Sequence, residues 1–109
     1  SFTANPLSCS LAIKSLEILK RESTQASIQR IVSAHQKFAT QIASHPKVKN
    51  IRQCGTILAF EWDDTKGTSY LSKVRDKLGN VLYILPPYVI TESELNYIYK
   101  HIQLALDEL

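Results

Sequence analysis

The segment from Ile90 to Leu109 constrains the fold more than any other part of the sequence. Thr91 is followed three residues later by Glu94, which is the spacing of a capping box at a helix N-terminus. Ile90 and Leu95 flank the box at the spacing of a hydrophobic staple. An apolar stripe then continues at helical spacing through Leu95, Ile98, Tyr99, Ile102, Ala105, Leu106 and Leu109. The pattern predicts a helix that begins after Thr91 and buries one face.

Two helices are predicted in the first half of the chain. The first runs from Pro6 to Arg21, with proline in the first turn and apolar residues predicted to form one face at Leu11, Ala12, Leu16 and Leu19. The second follows Ser23 and ends at His45-Pro46. Its stripe consists of Ile28, Ile31, Val32, His35, Phe38, Ala39 and Ile42.

Three segments rich in β-branched and aromatic residues predict strands. Val48–Gln53 and Thr56–Trp62 are separated by Cys54-Gly55, which indicates an antiparallel hairpin. The stretch Val81–Pro87 predicts a strand stopped by its two prolines. A short helix is expected between the second and third strands, at Tyr70, Leu71 and Val74. The sum is an α+β two-layer sandwich, with a small antiparallel sheet of three or more strands and about four helices.

Composition limits the classes of function. A chain of 109 residues that is 44% hydrophobic fits one domain. Its 13 lysines and arginines and 10 acidic residues give a net charge of +3. The basic residues are scattered along the sequence, which disfavours nucleic acid and anionic membrane as partners. The two cysteines have neither metal-site nor disulfide-scaffold spacing. This cysteine usage predicts a reducing, cytoplasmic setting and no metal. No apolar stretch approaches the roughly 18 residues of a membrane span.

The residues alone predict no self-contained active site. His35 lies on the apolar stripe of the second helix, where a core histidine is favoured over a ligand. Two stretches stand out, "SFTANPLSC" at residues 1–9 and "LGNVLYILPPY" at residues 78–88. The first offers hydroxyl and amide groups ahead of a helix N-terminus, where phosphate can bind, with plain helix capping as the alternative. The second places Tyr83 and Tyr88 to line a pocket, with core and corner packing as the alternative.

Both stretches resemble class III aminotransferases of fold-type I. "SFTANPLSC" is similar to the segment that opens their C-terminal domain. "IRQCGTILAFEW" at residues 51–62 and "LGNVLYILPPYVIT" at residues 78–91 resemble the branch of biotin synthesis, the adenosylmethionine-8-amino-7-oxononanoate aminotransferases. The resemblance covers nearly the whole chain in order. It implies the fold of the small C-terminal domain of these enzymes.

The resemblance implies roles for individual residues. Ser1 matches the hydroxyl residue that binds the phosphate of pyridoxal 5'-phosphate in the partner subunit of a homodimer. Tyr83 matches the tyrosine that shapes the substrate pocket. The arginine that grips a substrate carboxylate stands seven residues before that tyrosine in the family, where this chain has Asp76. Arg75 is not assigned that role. A stretch is therefore expected to be absent around Lys77-Leu78, either deleted or mobile.

The resemblance also implies what the chain does not do by itself. The family places the Schiff-base lysine in a large domain upstream of residue 1. The chain, residues 1–109, is thus expected to be a C-terminal fragment, inert alone, of an enzyme that moves an amino group from S-adenosylmethionine to 8-amino-7-oxononanoate, giving 7,8-diaminononanoate. Its partners would be its own large domain and a second subunit. Faces uncovered in the isolated fragment would expose an apolar patch or drive self-association.

Two alternatives remain at this stage. Another class III enzyme, acting on ornithine, a γ-amino acid or a diamine, would share the Asn-Pro-Leu start but should lack "YILPPY" at residues 83–88. A free-standing α+β module that binds a ligand or associates through its sheet is the second. The missing initiator methionine argues against the module and for a trimmed or engineered start at Ser1.

Overall fold

The computed structural model describes residues 3–63 and 79–109. Its elements are α1 (Pro6–Leu19), α2 (Glu22–Ile42), β1 (Val48–Cys54), β2 (Ile57–Trp62), β3 (Val81–Ile84) and α3 (Glu92–Asp107). The strands form one antiparallel sheet in the order β1-β2-β3. The predicted α+β class is confirmed, with three helices in the described residues. The short helix expected at Tyr70, Leu71 and Val74 lies outside them.

The core forms between α2, α3 and one face of the sheet. Alternate residues of the central strand β2, Leu58, Phe60 and Trp62, are buried, and Leu58 and Phe60 pair across to Ile84 and Leu82 of β3. The helices contribute six further large members of the cluster, Ile31, Phe38 and Ile42 from α2 and Leu95, Tyr99 and Leu106 from α3. The stripes predicted for α2 and α3 therefore face the core.

The start of α3 is as predicted. The Oγ1 atom of Thr91 accepts a hydrogen bond from the backbone N–H of Glu94 at 3.3 Å, and the Glu94 carboxylate accepts one from the backbone N–H of Thr91 at 2.8 Å. Ile90 and Leu95, the two residues of the predicted staple, are both buried in the core. The local sequence thus fixes both the first residue of α3 and the face that it buries.

The hairpin between β1 and β2 explains why residue 55 is a glycine. Cys54 pairs with Ile57, so Gly55 and Thr56 form the turn, and Gly55 has φ +56°. β1 also contains a register shift between Lys49 and Arg52. Both hairpin strands differ by one residue from the predicted limits, since pairing extends to Cys54 and begins again at Ile57.

Other predicted boundaries were also wrong. α1 ends at Leu19 rather than Arg21, because Arg21 is extended and is the N-cap of α2, so Ser23 lies inside α2. The side chain of Gln25 donates to the carbonyl of Leu19 at 2.6 Å, which satisfies the end of α1. β3 stops at Ile84, opposite Leu58, before the prolines rather than at them.

The apolar residues of α1 do not join the core. No residue of this helix is buried. The predicted face of Leu11, Ala12, Leu16 and Leu19 is exposed throughout. Within residues 3–63 and 79–109, no helix has the length and hydropathy needed to cross a membrane.

Candidate functional site

Tyr83 lies on the outer face of the sheet, the face opposite to the core. It pairs with Ala59 of β2, which in turn pairs with Arg52 of β1. Because directly paired residues of antiparallel strands project to the same face, the three side chains form a row across the sheet. The Tyr83 side chain is 69% exposed. The alternative that Tyr83 serves in the core is therefore wrong, and its neighbours Leu82 and Ile84 pack there instead.

A charged cluster occupies one end of this outer face. The Glu61 carboxylate accepts hydrogen bonds from Asn50 Nδ2 at 2.9 Å and from Arg52 Nη1 at 3.2 Å. These bonds, that from Asn50 above all, lower the pKa of Glu61. Lys49 Nζ lies 2.7 Å from a carboxylate oxygen of Asp63. The charged side chains of this cluster pair with one another. Tyr83 therefore lies beside charges that already have partners.

An apolar groove runs from Tyr83 along the chain that follows β3. It has a volume of about 430 Å³. Its walls come from β3, the proline corner and α3, namely Leu82, Tyr83, Ile84, Leu85, Pro86, Pro87, Ile90, Ile98 and Ile102. The phenol of Tyr83 is the single polar side chain of this lining. Such a surface can hold a hydrocarbon chain and orient one polar group, but it contains no base or nucleophile.

Helix α2 contacts the proline corner that closes this groove. Arg30 Nη2 donates to the carbonyl oxygen of Ile90 at 2.5 Å. This contact joins residues that are far apart in sequence, and nothing in the spacing of the chain signals it. Tyr88, the second tyrosine of residues 78–88, is 42% exposed, so packing at the corner does not bury it.

The N-terminus of α1 offers no free backbone donor in its first turn. Pro6 has no N–H, while those of Leu7 and Ser8 donate to Asn5 Oδ1 at 3.0 and 3.2 Å. The N–H of Cys9 donates to the carbonyl of Asn5 at 3.0 Å. Capping therefore explains Asn5, and the first-turn N–H groups of α1 do not form a phosphate site. Ser1, the predicted phosphate contact, lies outside the described residues.

The other candidate groups have structural surroundings. His35 is completely buried, which confirms that it is a core histidine. Cys9 and Cys54 are free and exposed. In the described part of the chain, no three histidine, cysteine or carboxylate side chains are grouped so as to hold a metal ion.

Comparison with known proteins identifies the family of the chain. Residues 1–106 match the aminotransferase class-III family. The chain belongs to this family. Its sequence is 41% identical, across its whole length, to part of the adenosylmethionine-8-amino-7-oxononanoate aminotransferase of Synechococcus elongatus, of which it covers 28%. It is 26% identical to the ornithine aminotransferase of Emericella nidulans, again along its whole length and over 26% of that protein.

A solved class III aminotransferase has the same fold. The structure of adenosylmethionine-8-amino-7-oxononanoate aminotransferase from Methanocaldococcus jannaschii superposes with a TM-score of 0.75 at 25% identity, covering 99% of this chain and 29% of that one. The chain thus spans only about a quarter of the length of the relatives that it matches.

The alignment with the Synechococcus relative is longer than this chain. The chain is continuous through Lys77 and Leu78 and has 109 residues, whereas its alignment with the Synechococcus relative occupies 123 positions. The relative therefore carries residues that this chain lacks. Asp76 occupies the position seven residues before Tyr83, and both Asp76 and Arg75 lie outside the described residues.

Proposed function

We propose that the chain is the C-terminal small domain of a class III aminotransferase that transfers an amino group from S-adenosylmethionine to 8-amino-7-oxononanoate, giving 7,8-diaminononanoate in biotin biosynthesis. The observation that carries the proposal is the 41% identity with the Synechococcus enzyme of that name across the whole chain. Identity with the ornithine aminotransferases is lower, at 26% and 28%.

The role of this domain is to supply one wall of the substrate site. The groove beside Tyr83 is apolar, which suits the hydrocarbon chain of a nine-carbon keto acid, and the exposed phenol can donate one hydrogen bond to a polar group of the substrate. Asp76 has the wrong charge to bind a substrate carboxylate. In this proposal the carboxylate is therefore held elsewhere in the enzyme or is held less firmly.

The cofactor of the whole enzyme is pyridoxal 5'-phosphate, which when bound supplies the electron sink for amino transfer. The N-terminus of α1 does not form a site for its phosphate, since the first-turn N–H groups of α1 are all used by Asn5. The proposed contribution of this chain is the hydroxyl of Ser1, which would bind the phosphate of the cofactor in the second subunit of a homodimer. The isolated chain is proposed to be inactive because the lysine that binds the cofactor belongs to the large domain.

A second candidate is the small domain of an ornithine aminotransferase. It is favoured by the two relatives of that name, which the chain matches over 97% to 100% of its length. The two candidates differ in the large domain that the chain should complete.

A grafting experiment separates these candidates. This chain replaces the matched segment in the Synechococcus elongatus enzyme and, in parallel, in the Bacillus cereus ornithine aminotransferase. We expect a folded protein that binds pyridoxal phosphate and aminates 8-amino-7-oxononanoate in the first host only. Function in the ornithine enzyme alone would support the second candidate, and failure in both would refute the proposed function. Borohydride reduction should label a lysine of the host and none in the grafted segment.

A further inference from the structure

Helices α2 and α3 lie side by side and run in the same direction. Arg30 donates to the carbonyl oxygen of Ile90, just before α3, and further along both helices the ring of Phe38 stacks on that of Tyr99. Two cavities of about 250 and 320 Å³ lie between the helices. The cavities share their lining at Phe38, Gln41, Asn96 and Tyr99. They therefore adjoin as one groove, which we call the α2–α3 groove.

Basic side chains predominate among the charged residues of this groove. Arg30 and Lys37 line its first cavity and Lys100 lines its second. Glu92 is the single acidic side chain among the described residues of the lining. Three cations and one carboxylate leave a charge of +2 in the groove. On the outer face of the sheet, by contrast, the basic side chains pair with carboxylates.

The cations of the groove are not neutralised by the described residues. Within that part of the chain, neither Lys37 nor Lys100 forms an ion pair or a side-chain hydrogen bond. Arg30 donates through Nη2 to a backbone carbonyl, which carries no net charge, and its Nη1 is buried without an acceptor among the described residues. Because the positive charge is uncompensated, the groove attracts an anionic occupant.

Two amide side chains add hydrogen-bonding groups to the positive charge. Gln41 and Asn96 line both cavities and are exposed. Their side chains make no hydrogen bond with another described residue. An amide group both donates and accepts, so it can pair with the N–H and C=O groups of a peptide backbone. The buried, stacked rings of Phe38 and Tyr99 form a firm floor beneath them.

The length of the groove suits a short extended peptide. From Arg30 to Gln41 helix α2 rises by about 17 Å, at 1.5 Å per residue. That length corresponds to about five residues of extended chain, at 3.3 Å each. Lys37 and Lys100 line different cavities, so an extended chain can bring one carboxylate to each lysine, whereas a single small carboxylate can bind only one of them.

We propose that the α2–α3 groove binds an extended acidic segment of a partner protein. Its carboxylates lie against Lys37 and Lys100, and its backbone pairs with Gln41 and Asn96. This inference goes beyond the proposed amino transfer, because no residue of the α2–α3 groove lines the apolar groove beside Tyr83.

A synthetic peptide tests the inference directly. The probe is acetyl-Glu-Ala-Glu-Ala-Glu-amide with a neutral coumarin label, and the same peptide with lysine in place of glutamate is its control. Fluorescence anisotropy measures binding to the chain and, in parallel, to the Synechococcus enzyme that carries the chain as a graft. We expect saturable binding of the glutamate probe alone. Its affinity should fall as the salt concentration rises, since salt screens exposed charges.

Matched substitutions separate the groove from the net charge of the chain. Gln41→Glu and Gln36→Glu make the same charge change on α2, but Gln36 does not line the groove. Gln41→Glu should raise the Kd of the probe about threefold or more, while Gln36→Glu should leave it within about twofold. Lys37→Gln and Lys100→Gln should each weaken binding by a similar factor. Lys20→Gln is their control, since Lys20 is exposed and follows α1.

Other results would overturn the inference. Equal losses in Gln41→Glu and Gln36→Glu would show that the probe is attracted by the net charge of the chain rather than by the groove. Equal binding of the glutamate and lysine peptides would show that charge does not select the occupant. If the probe did not bind saturably in either setting, the groove would have no such ligand. The proposed amino transfer would still stand, because the activity of the graft measures it separately.

Discussion

The Nδ1 atom of His35 on α2 lies 2.6 Å from the phenol oxygen of Tyr99 on α3. The other ring nitrogen, Nε2, lies 3.0 Å from the carbonyl oxygen of Thr56 in the hairpin turn. Because a carbonyl oxygen only accepts hydrogen bonds, Nε2 carries the proton, and Nδ1 of a neutral ring accepts from the Tyr99 hydroxyl. One buried imidazole thus joins both core helices to the sheet.

Removal of the Tyr99 hydroxyl should destabilise the chain. Tyr99→Phe leaves the buried Nδ1 of His35 without a donor, which costs about 1 to 3 kcal/mol, while the stacking of the ring on Phe38 is retained. Urea unfolding at pH 7.5 measures the change in the free energy of unfolding. Tyr97→Phe is the matched control, since Tyr97 is 65% exposed on the same helix. Equal effects of the two substitutions would contradict the hydrogen bond.

The burial of His35 predicts a loss of stability in mild acid. Burial lowers the pKa of His35 below its ordinary value of 6.5. The unfolded chain therefore binds a proton more readily, and stability that is full above pH 6.5 falls as the pH drops from 6.5 through the folded-state pKa. The pKa values of Glu61 and Glu94 are lowered below 4.5, so protonation of these carboxylates changes stability only at lower pH.

Urea unfolding at pH 7.5 and pH 5.5 tests this dependence. The wild-type chain should be less stable at pH 5.5. His35→Gln should be less stable than the wild type at pH 7.5 but should lose less between the two pH values. A variant that retains the whole wild-type loss would show that another group titrates.

The capping box of α3 should contribute measurably to stability. Thr91→Ala removes the oxygen that accepts from the Glu94 N–H, and loss of such a cap costs about 1 kcal/mol, up to about 2. Thr91→Ser keeps the hydroxyl and should remain within about 0.5 kcal/mol of the wild type. Thermal unfolding of the two variants side by side measures the difference. If serine and alanine behaved alike, the cap would contribute nothing.

The sequence was sufficient where structure is determined locally. Thr91, Glu94 and the stripe from Leu95 specify the start and the buried face of α3 because all the interacting groups lie within a few turns of one another. The run Thr56–Trp62 likewise predicted a strand from its own residues, and Ile57–Trp62 forms β2. The resemblance to class III aminotransferases also rested on short runs of residues. The matches along the whole chain confirm it.

Features that depend on distant residues could not be predicted. The contact of His35 with Tyr99 spans 64 residues, and that of Arg30 with Ile90 spans 60. Apolar spacing suggested one amphipathic face on α1, but the sequence contains no signal of whether that face has a partner within the chain. The exposure of Tyr83 likewise depends on the register of β3, which sequence alone leaves open.

The hairpin turn should tolerate asparagine better than alanine at position 55. Gly55 has φ +56°, and no atom lies within 4 Å of the position that a Cβ would take. The cost of Gly55→Ala is therefore conformational, about 1 to 2 kcal/mol. Gly55→Asn should cost less because asparagine adopts the left-handed region more readily. Denaturant midpoints of the two variants provide the comparison, and a larger loss for asparagine would indicate a steric cause.

Adjacent residues of β3 should respond in opposite ways to truncation. Ile84→Ala creates a cavity in the core and should cost about 2 to 5 kcal/mol, because the Ile84 side chain is only 5% exposed. Tyr83→Ala should change the free energy of unfolding by no more than about 0.5 kcal/mol, since its side chain projects from the outer face. A loss above about 1 kcal/mol at Tyr83 would mean that the ring supports the fold, and its proposed role in the substrate wall would lose its structural basis.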